Sequence, residues 1–487
     1  MAWAHETSFS RLRLRLIVVL LLVLLFIVYL LAPLSGQSRH EPIPTLGSPN
    51  LRPYEPFYEA AATTLRPLPA VYGAEATKPE ETGTCSHRYG TSYLRAFSST
   101  ATSYCDETST ADLTCFSAQA SDDKTDSFCI GDTVVYNASL ETFSSDCNLR
   151  EWTDMDQAAN IPKFARFAKY WYNTGPHAIF DQFFRFNRDT QLERLPNPKT
   201  ERVSLLIKRE DSNQNMWHRM MEIMSLTMSL DVLRTTLDPT TLKPLFTDRD
   251  MSNSQIVFID DLPEEPFDSL WEMSTGLPSV HRKDNGTEIA QLSKVVVPLP
   301  GGSNPFWQGD WNIIDCGQSA LLKAFSKRVI DFYKIPSMSS PADSRLNITF
   351  IDRKSKRRLL HKEAYFEQVR IRYPQVNIQV VDYASLSFAD QVQVSHSTDI
   401  LVGVHGAGLT HGMFLPPNSA IVEILPPTLM HKGFENMARF LGHRHFSAHS
   451  IEHESANNTG DWQHDDVYLE KTDFLALIDN AVVSAKG

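Results

Sequence analysis

The chain has 487 residues, 42% of them hydrophobic and 21% charged, with a formal net charge of −12 at pH 7. That length holds two or three domains with cores of their own. The acidic balance, with no basic stripe to offset it, argues against a nucleic-acid partner, because phosphate backbones select basic surfaces.

Residues 1–15 carry Arg11, Arg13 and Arg15, and residues 16–32 form an unbroken apolar run that stops at Pro33. The run reaches the lower end of what spans a bilayer, roughly 17 to 25 residues. Arginines on its amino side favour a cytosolic tail and place everything beyond residue 33 in the lumen. The expectation is therefore a tail at 1–15 and a transmembrane signal anchor at 16–32. The alternative is a cleaved signal peptide, whose apolar region is usually shorter, roughly 7 to 15 residues. Residues 33–84 are rich in Pro, Ala, Thr and Glu without apolar periodicity, so they read as a flexible, disordered luminal stem.

Cys85, Cys105, Cys115, Cys129 and Cys147 crowd one segment and Cys316 stands apart. An even number of cysteines in an oxidising compartment predicts up to three disulfides, with the pairing open. Sequons start at Asn137, Asn285, Asn347 and Asn457, the third inside a strand expected to be buried. Residues 85–302 read as a Cys-rich start followed by an α/β domain, with buried strands at 203–208 and 255–259 and a helix at 216–233. Residues 303–450 alternate: helix 319–332, strand 346–351, helix 361–373, strand 376–381, short helix 388–394, strand 400–404. Such alternation implies a parallel sheet covered on both faces. Residues 451–487 read as a C-terminal tail with a helix.

The most informative stretch is Val402-Gly403-Val404-His405-Gly406-Ala407-Gly408-Leu409-Thr410-His411, followed by a second apolar strand that carries Glu423. Glycines at a strand's carboxyl end let main-chain N–H groups approach a ligand, and the amino end of the helix expected next suits phosphate. Glu423 is placed to accept hydrogen bonds from ribose hydroxyls, as an acidic residue does in dinucleotide folds. The plainer alternatives are an empty turn, a packed His405 and a solvated Glu423. Arg353-Lys354-Ser355-Lys356-Arg357-Arg358 follows the strand at 346–351 and so emerges on the same rim. It is either a solvated charge run or a clamp whose guanidiniums meet phosphate oxygens.

Asn215-Met216-Trp217-His218 opens a helix, and His218 shares a face with Glu222, the spacing of a base and its orienting carboxylate. A helix-surface pair without catalytic meaning is the alternative. Asp260-Asp261 ends a strand and is placed either to hold a metal-bound diphosphate or to cap a turn. Asp154-Met155-Asp156 and Asp248-Arg249-Asp250 are D-x-D tripeptides of the same ambiguity. His443, His445, His449 and His453 lie close together without an H-E-x-x-H pattern, and no metal site is assigned to them.

In order along residues 200–450, these motifs resemble glycosyltransferase family 61: Asn215 to His218 with the acidic residue 222, Cys316 before Leu322-Lys323-Ala324-Phe325, Arg353 with Arg357 or Arg358, Val381-Asp382-Tyr383, Phe388-Ala389-Asp390-Gln391, Thr398-Asp399-Ile400, His405 to His411, Phe414-Leu415-Pro416 and Glu423. Within the family, His411 after Gly408-Leu409-Thr410 is similar to the branch of EGF domain-specific O-linked N-acetylglucosaminyltransferases. The resemblance implies a GT-B-like fold of two Rossmann-type domains, the second holding the nucleotide sugar, the first the acceptor. It implies inversion at the anomeric carbon. By the same carry-over, Arg353 and Arg357 or Arg358, with His405 and the Gly406, Ala407, Gly408, Leu409 and Thr410 backbone, serve the diphosphate. Glu423 binds ribose, His218 and Glu222 are catalytic, and Asn215, Trp217 and Asp260 line the acceptor side.

The implied reaction moves GlcNAc from UDP-GlcNAc to Ser or Thr hydroxyls of secreted or membrane proteins. Transfer of xylose from UDP-xylose to a glycan, or an inactive luminal lectin of the same fold, are the alternatives. No cofactor is required on this reading, with stimulation by a divalent cation such as Mn left open, because Ser274-Thr275-Gly276-Leu277 stands where some members of the branch carry D-x-D after the tryptophan matching Trp271. The chain closes on Ser484-Ala485-Lys486-Gly487, where animal members of the branch carry an ER-retention tetrapeptide. Golgi and ER membranes are thus equally open for a single-pass type II protein.

Overall fold

The computed structural model describes residues 66–76, 83–121, 124–186, 200–211, 214–284, 290–336, 345–453 and 459–486. The expected anchor at 16–32, the sequons at Asn285 and Asn457 and most of the stem lie outside these residues. Among the described residues no helix is long and apolar enough to cross a membrane.

Among the described residues, fourteen strands form two sheets. The first is built from β1 (Thr102–Ser103), β2 (Leu113–Ser121), β3 (Lys124–Asn137), β4 (Thr142–Ser145), β5 (Phe184–Phe186), β6 (Thr200–Ile207), β7 (Ser254–Phe258), β8 (Val280–His281) and β9 (Ala290–Val297). Its main path runs β1-β2-β3-β9-β6-β7-β8. Pairing is antiparallel from β1 to β9 and parallel from β9 through β6 and β7 to β8. The Cys-rich stretch is thus no loose preface to an α/β domain. It supplies the antiparallel half of the sheet, with Cys115 opposite Cys129 in the β2–β3 register and bonded to it. Cys105 joins Cys147, and Cys85 reaches Cys316.

The second sheet holds β10 (Asn347–Ile351), β11 (Asn377–Val381), β12 (Ile400–Val404), β13 (Ala420–Leu425) and β14 (Arg444–His449), ordered β11-β10-β12-β13-β14 and parallel throughout. Counted from its own first strand this is the doubly wound order 2-1-3-4-5, whose ligand crevice opens at the carboxyl ends of strands one and three. Here those are β10 and β12. Alternation assigns the two faces: Ile400, Val402 and Val404 pack with the helices Lys362–Arg372 and Lys471–Lys486, while Leu401 and Ile421 face the opposite core with Phe388, Leu409, Phe434 and Met437. The Lys471–Lys486 helix, assigned by sequence to a tail, is therefore part of the second sheet's cover through Phe474, Leu477, Ile478, Ala481 and Val482.

The Met216–Thr235 helix belongs to the core that contains Leu401 and Ile421, so one continuous apolar layer joins the two sheets. The end of the predicted stem also joins it. Leu68 and Tyr72 are buried there, and the Tyr72 hydroxyl donates to Asp231 at 2.5 Å. Asn347 begins β10 half-buried, its side chain accepting from Asn377.

Candidate active site

β10 ends at Ile351 and the chain turns through the basic run, sorting its charges by partner. Lys354 pairs with Asp352. Arg358 donates through Nε and Nη2 to both oxygens of Asp466. Arg353 and Arg357 go the other way, to the tip of β12. A Cβ built on Gly406 would lie 2.8 Å from Arg353 Nη1 and 2.8 Å from Arg357 Nη1. Gly406 has φ 147°, a conformation L side chains rarely adopt, so backbone and space both require glycine there. Arg357 is itself left-handed at φ 52°, and its Nη1 donates to the His405 carbonyl at 3.0 Å.

Neither guanidinium has a carboxylate within ion-pair distance among the described residues, and Arg357 Nε is buried without a hydrogen-bond partner. Burial lowers the pKa of Arg353. Burial and then the adjacent Arg353 charge bring Arg357 down to about 10, opposed only by the more distant Asp461. Two like charges held together and half-buried repel each other, and an anion between them would relieve that repulsion. The structure therefore sorts the basic run: Arg353 and Arg357 converge on Gly406, and Arg358 serves a separate ion pair.

The helix expected after the glycine turn is a 3-10 helix, Ala407–Phe414. Leu409 fills the core and Gly408 lies against Ile351, where a Cβ would come within 3.3 Å of Cγ2. First-turn amides of any helix, here those of Gly406, Ala407 and Gly408, lack intrahelical acceptors. The Thr410 hydroxyl is buried without a partner among the described residues. His411 is buried between Gly408 O and Gln391 Oε1.

Glu423 is not open to a ribose. Its two oxygens accept from His405 Nδ1 at 2.6 Å and His445 Nε2 at 2.9 Å, and the side chain is buried. Burial raises the pKa of this carboxyl, but the two imidazole hydrogen bonds outweigh it and hold the group near 2.

At the amino end of the Met216–Thr235 helix the carboxylate expected beside His218 is also replaced. His218 Nδ1 faces Asp211 Oδ2 at 3.1 Å, and its ring stacks on Trp307 with centroids 4.2 Å apart. Glu222 points inward, accepting from the Glu210 amide and paired with Arg219, which also binds Glu265 at 2.5 Å. Burial, against the opposing Arg219, lifts Glu222 to about 8. Asn215 caps the Met216–Thr235 helix by accepting from the Trp217 amide. Trp217 is buried edge-on to Phe434, which in turn packs against His405. That run of rings brings the amino end of the His218 helix up to the Gly406 rim.

Asp260 is withdrawn from ligand binding: Arg209 Nε and Nη2, the Arg209 amide and the Leu262 amide all donate to it. Asp156 and Asp250 are the N3 members of capping boxes with Thr153 and Thr247, so both D-x-D tripeptides are helix starts. Asp211, His431, His445, Trp307 and Trp462 were not singled out by sequence as site residues. Asp211 has a legible signal, since it lies just past the carboxyl end of β6 as Arg353 does past β10. His431 and Trp462 come from loops far along the chain and flank His405 at 4.8 and 5.9 Å.

A family model described as Glycosyltransferase 61 matches residues 175–422, which takes in β5 through the first half of β13 and includes Arg353, Arg357 and Gly406. The chain belongs to glycosyltransferase family 61. Among curated family 61 relatives, the EGF domain-specific O-linked N-acetylglucosamine transferase of Rattus norvegicus is 30% identical over 161 residues, 32% of this chain and 30% of that protein. The protein of the same description from Drosophila melanogaster is 28% identical over 241 residues, 47% of this chain and 44% of that one. The match thus spans less than half the length of these curated relatives. As a family 61 glycosyltransferase, the molecule presents a mixed α/β body with a parallel, Rossmann-like second sheet.

Proposed function

We propose that the protein is an inverting transferase that moves a sugar, GlcNAc as the first reading, from a uridine diphosphate donor to Ser or Thr hydroxyls of secreted or membrane proteins. One observation carries this: two unpaired guanidiniums converge on a glycine at the switch point of a doubly wound sheet, a cradle for a diphosphate. The relatives described as N-acetylglucosamine transferases support the choice of sugar and of a protein acceptor.

The donor lies along the carboxyl edge of β10 and β12 with its diphosphate on Arg353, Arg357 and the Gly406–Gly408 amides. The acceptor enters from the Met216–Thr235 side, giving a GT-B-like division of labour. His218, oriented by Asp211, takes the hydroxyl proton as the oxygen attacks the anomeric carbon from the face opposite the diphosphate. The anomeric C–O bond breaks, and the leaving diphosphate's charge falls on the two arginines. These guanidiniums supply the charge neutralisation that a divalent cation supplies in many sugar transferases. The body is luminal, held at the ER or Golgi membrane by residues 16–32.

The test is a screen of UDP- and GDP-linked sugars for transfer or hydrolysis by the purified protein, with and without Mn. UDP-GlcNAc turnover is expected; a preference for a GDP sugar overturns the donor assignment, and strict dependence on the cation overturns the division of labour between arginine and metal.

A further inference from the structure

The carboxylate expected to read a hydroxyl of the donor is sealed inside the protein, yet the arrangement around it rebuilds an acceptor one step nearer the cleft. Glu423 lies on β13 opposite Gly403 of β12, and each of its oxygens takes one imidazole N–H. His405 is fixed at three points: its amide donates to Ile424 O at 2.8 Å, its carbonyl accepts from Arg357, and its Nδ1–H is held by Glu423. A neutral imidazole with the proton on Nδ1 carries a lone pair on Nε2. No described residue hydrogen-bonds that nitrogen. The ring lies between His431, Phe434 and Trp462 and immediately precedes Gly406, where the two guanidiniums meet.

Charge explains why an imidazole rather than a carboxylate stands at this point. A carboxylate beside Arg353 and Arg357 would neutralise the pair and repel the diphosphate they are free to hold. A neutral nitrogen accepts a hydrogen bond without either effect. Burial, with His431 and Arg357 adding to it, lowers the pKa of the ring against the pull of Glu423 and so favours the neutral imidazole. With the Nδ1 proton committed to Glu423, Nε2 can only accept, so its partner must be a donor that the diphosphate brings with it. The groups flanking the diphosphate of a nucleotide sugar are hydroxyl-bearing rings.

We propose that His405 Nε2 accepts a hydrogen bond from a hydroxyl of the bound nucleotide sugar, with Glu423 and His445 as the positioning residues that set its tautomer. The inference rests on the donor reading above. The hydroxyl belongs either to the ribose or to the transferred sugar, and the experiment separates the two.

Calorimetry with UDP and with 2′-deoxy- and 3′-deoxy-UDP on the full-length protein needs no substitution. Steady-state kinetics with the active UDP-sugar then compare wild type, His405→Phe, His405→Gln and Glu423→Gln, each checked for folding by its melting temperature. A ribose contact predicts that one deoxy analogue binds wild type roughly five- to tenfold more weakly than UDP, the worth of one hydrogen bond. In His405→Phe that difference disappears. A sugar contact predicts equal binding of all three nucleotides and a roughly five- to tenfold higher donor KM in both His405 variants, with kcat within about twofold. Glu423→Gln moves the same parameter in the same direction. Unchanged UDP affinity together with unchanged donor KM in folded His405 variants overturns the inference, as does a fall in kcat alone. Arg353→Ala separates the two layers: UDP binding lost there, with UDP affinity and donor KM both indifferent to His405, sinks this inference only, whereas wild type that binds no UDP sinks both.

Discussion

Within one run of six residues, the side chains of 353–358 do opposite work, and single substitutions separate them. Arg353→Ala or Arg357→Ala removes half of the proposed diphosphate clamp and is expected to weaken UDP binding at least tenfold by calorimetry, on the order of 1.4 kcal/mol or more for one charge-assisted contact. Arg358→Ala breaks only the half-exposed pair with Asp466 and is expected to leave UDP affinity unchanged. Equal losses at 353 and 358 would contradict the placement. Gly406→Ala puts a methyl group against both guanidiniums in a backbone conformation that alanine avoids, so donor KM rises and the melting temperature falls together. His443 offers a pH test. Burial, then the charge of Lys323, lowers its pKa to about 4. Below pH 6.5 the unfolded chain gains a proton that the folded state refuses until about pH 4. Folding stability therefore drops as pH falls through that window, by up to about 3 kcal/mol for the full shift. A melting curve series on wild type and His443→Asn should show a flatter acid limb in the variant.

At the scale of elements, the Met216–Thr235 helix shows how local rules set up a site whose chemistry they do not name. Asn215 caps it, and its apolar positions all the way round mark a helix buried between two sheets. His218 and Glu222 share a face by spacing, yet the helix is buried on that face too. The longer-range partner Asp211 reaches the imidazole while Glu222 turns to Arg219. Asp211→Asn is accordingly expected to lower kcat by about 10²-fold or more if His218 is the base, with donor KM little changed. Glu222→Gln keeps the shape of a carboxyl that burial already holds largely protonated near neutral pH, so its kcat should stay within a few fold. Kinetics showing the reverse ranking would return the orienting role to Glu222. The β12, 3-10 helix and β13 unit follows the same logic. Its apolar strands, glycines and intervening helix were legible from the sequence, but the 3-10 form of that helix, with Leu409, Met413 and Phe414 all in the core, was not.

For the whole molecule, the Cys85–Cys316 bond matters most, since it ties the start of the body to the segment joining the two sheets across a sequence separation of 231. Replacing both cysteines by serine is expected to cost about 2 to 5 kcal/mol and to lower the melting temperature under oxidising conditions only. Reductant-treated wild type should lose at least as much, because it opens the Cys105–Cys147 and Cys115–Cys129 bonds as well. What sequence alone determined was everything carried by period and chemistry: the alternation that makes the second sheet parallel and doubly wound, the glycine turn at β12, the basic run after β10, and the family. Those signals are local, since a strand's faces and a turn's glycine are set within a few residues. Only the tertiary structure decided which cysteines pair, that the Cys-rich stretch is half of a sheet, and that the last helix covers the second sheet. It also decided that Arg357 and not Arg358 faces Gly406, that both oxygens of Glu423 are taken by His405 and His445, and that Asp211 rather than Glu222 meets His218. Each of those depends on which of several chemically equal groups comes within about 3 Å of a distant partner, a distance that no spacing along the chain encodes.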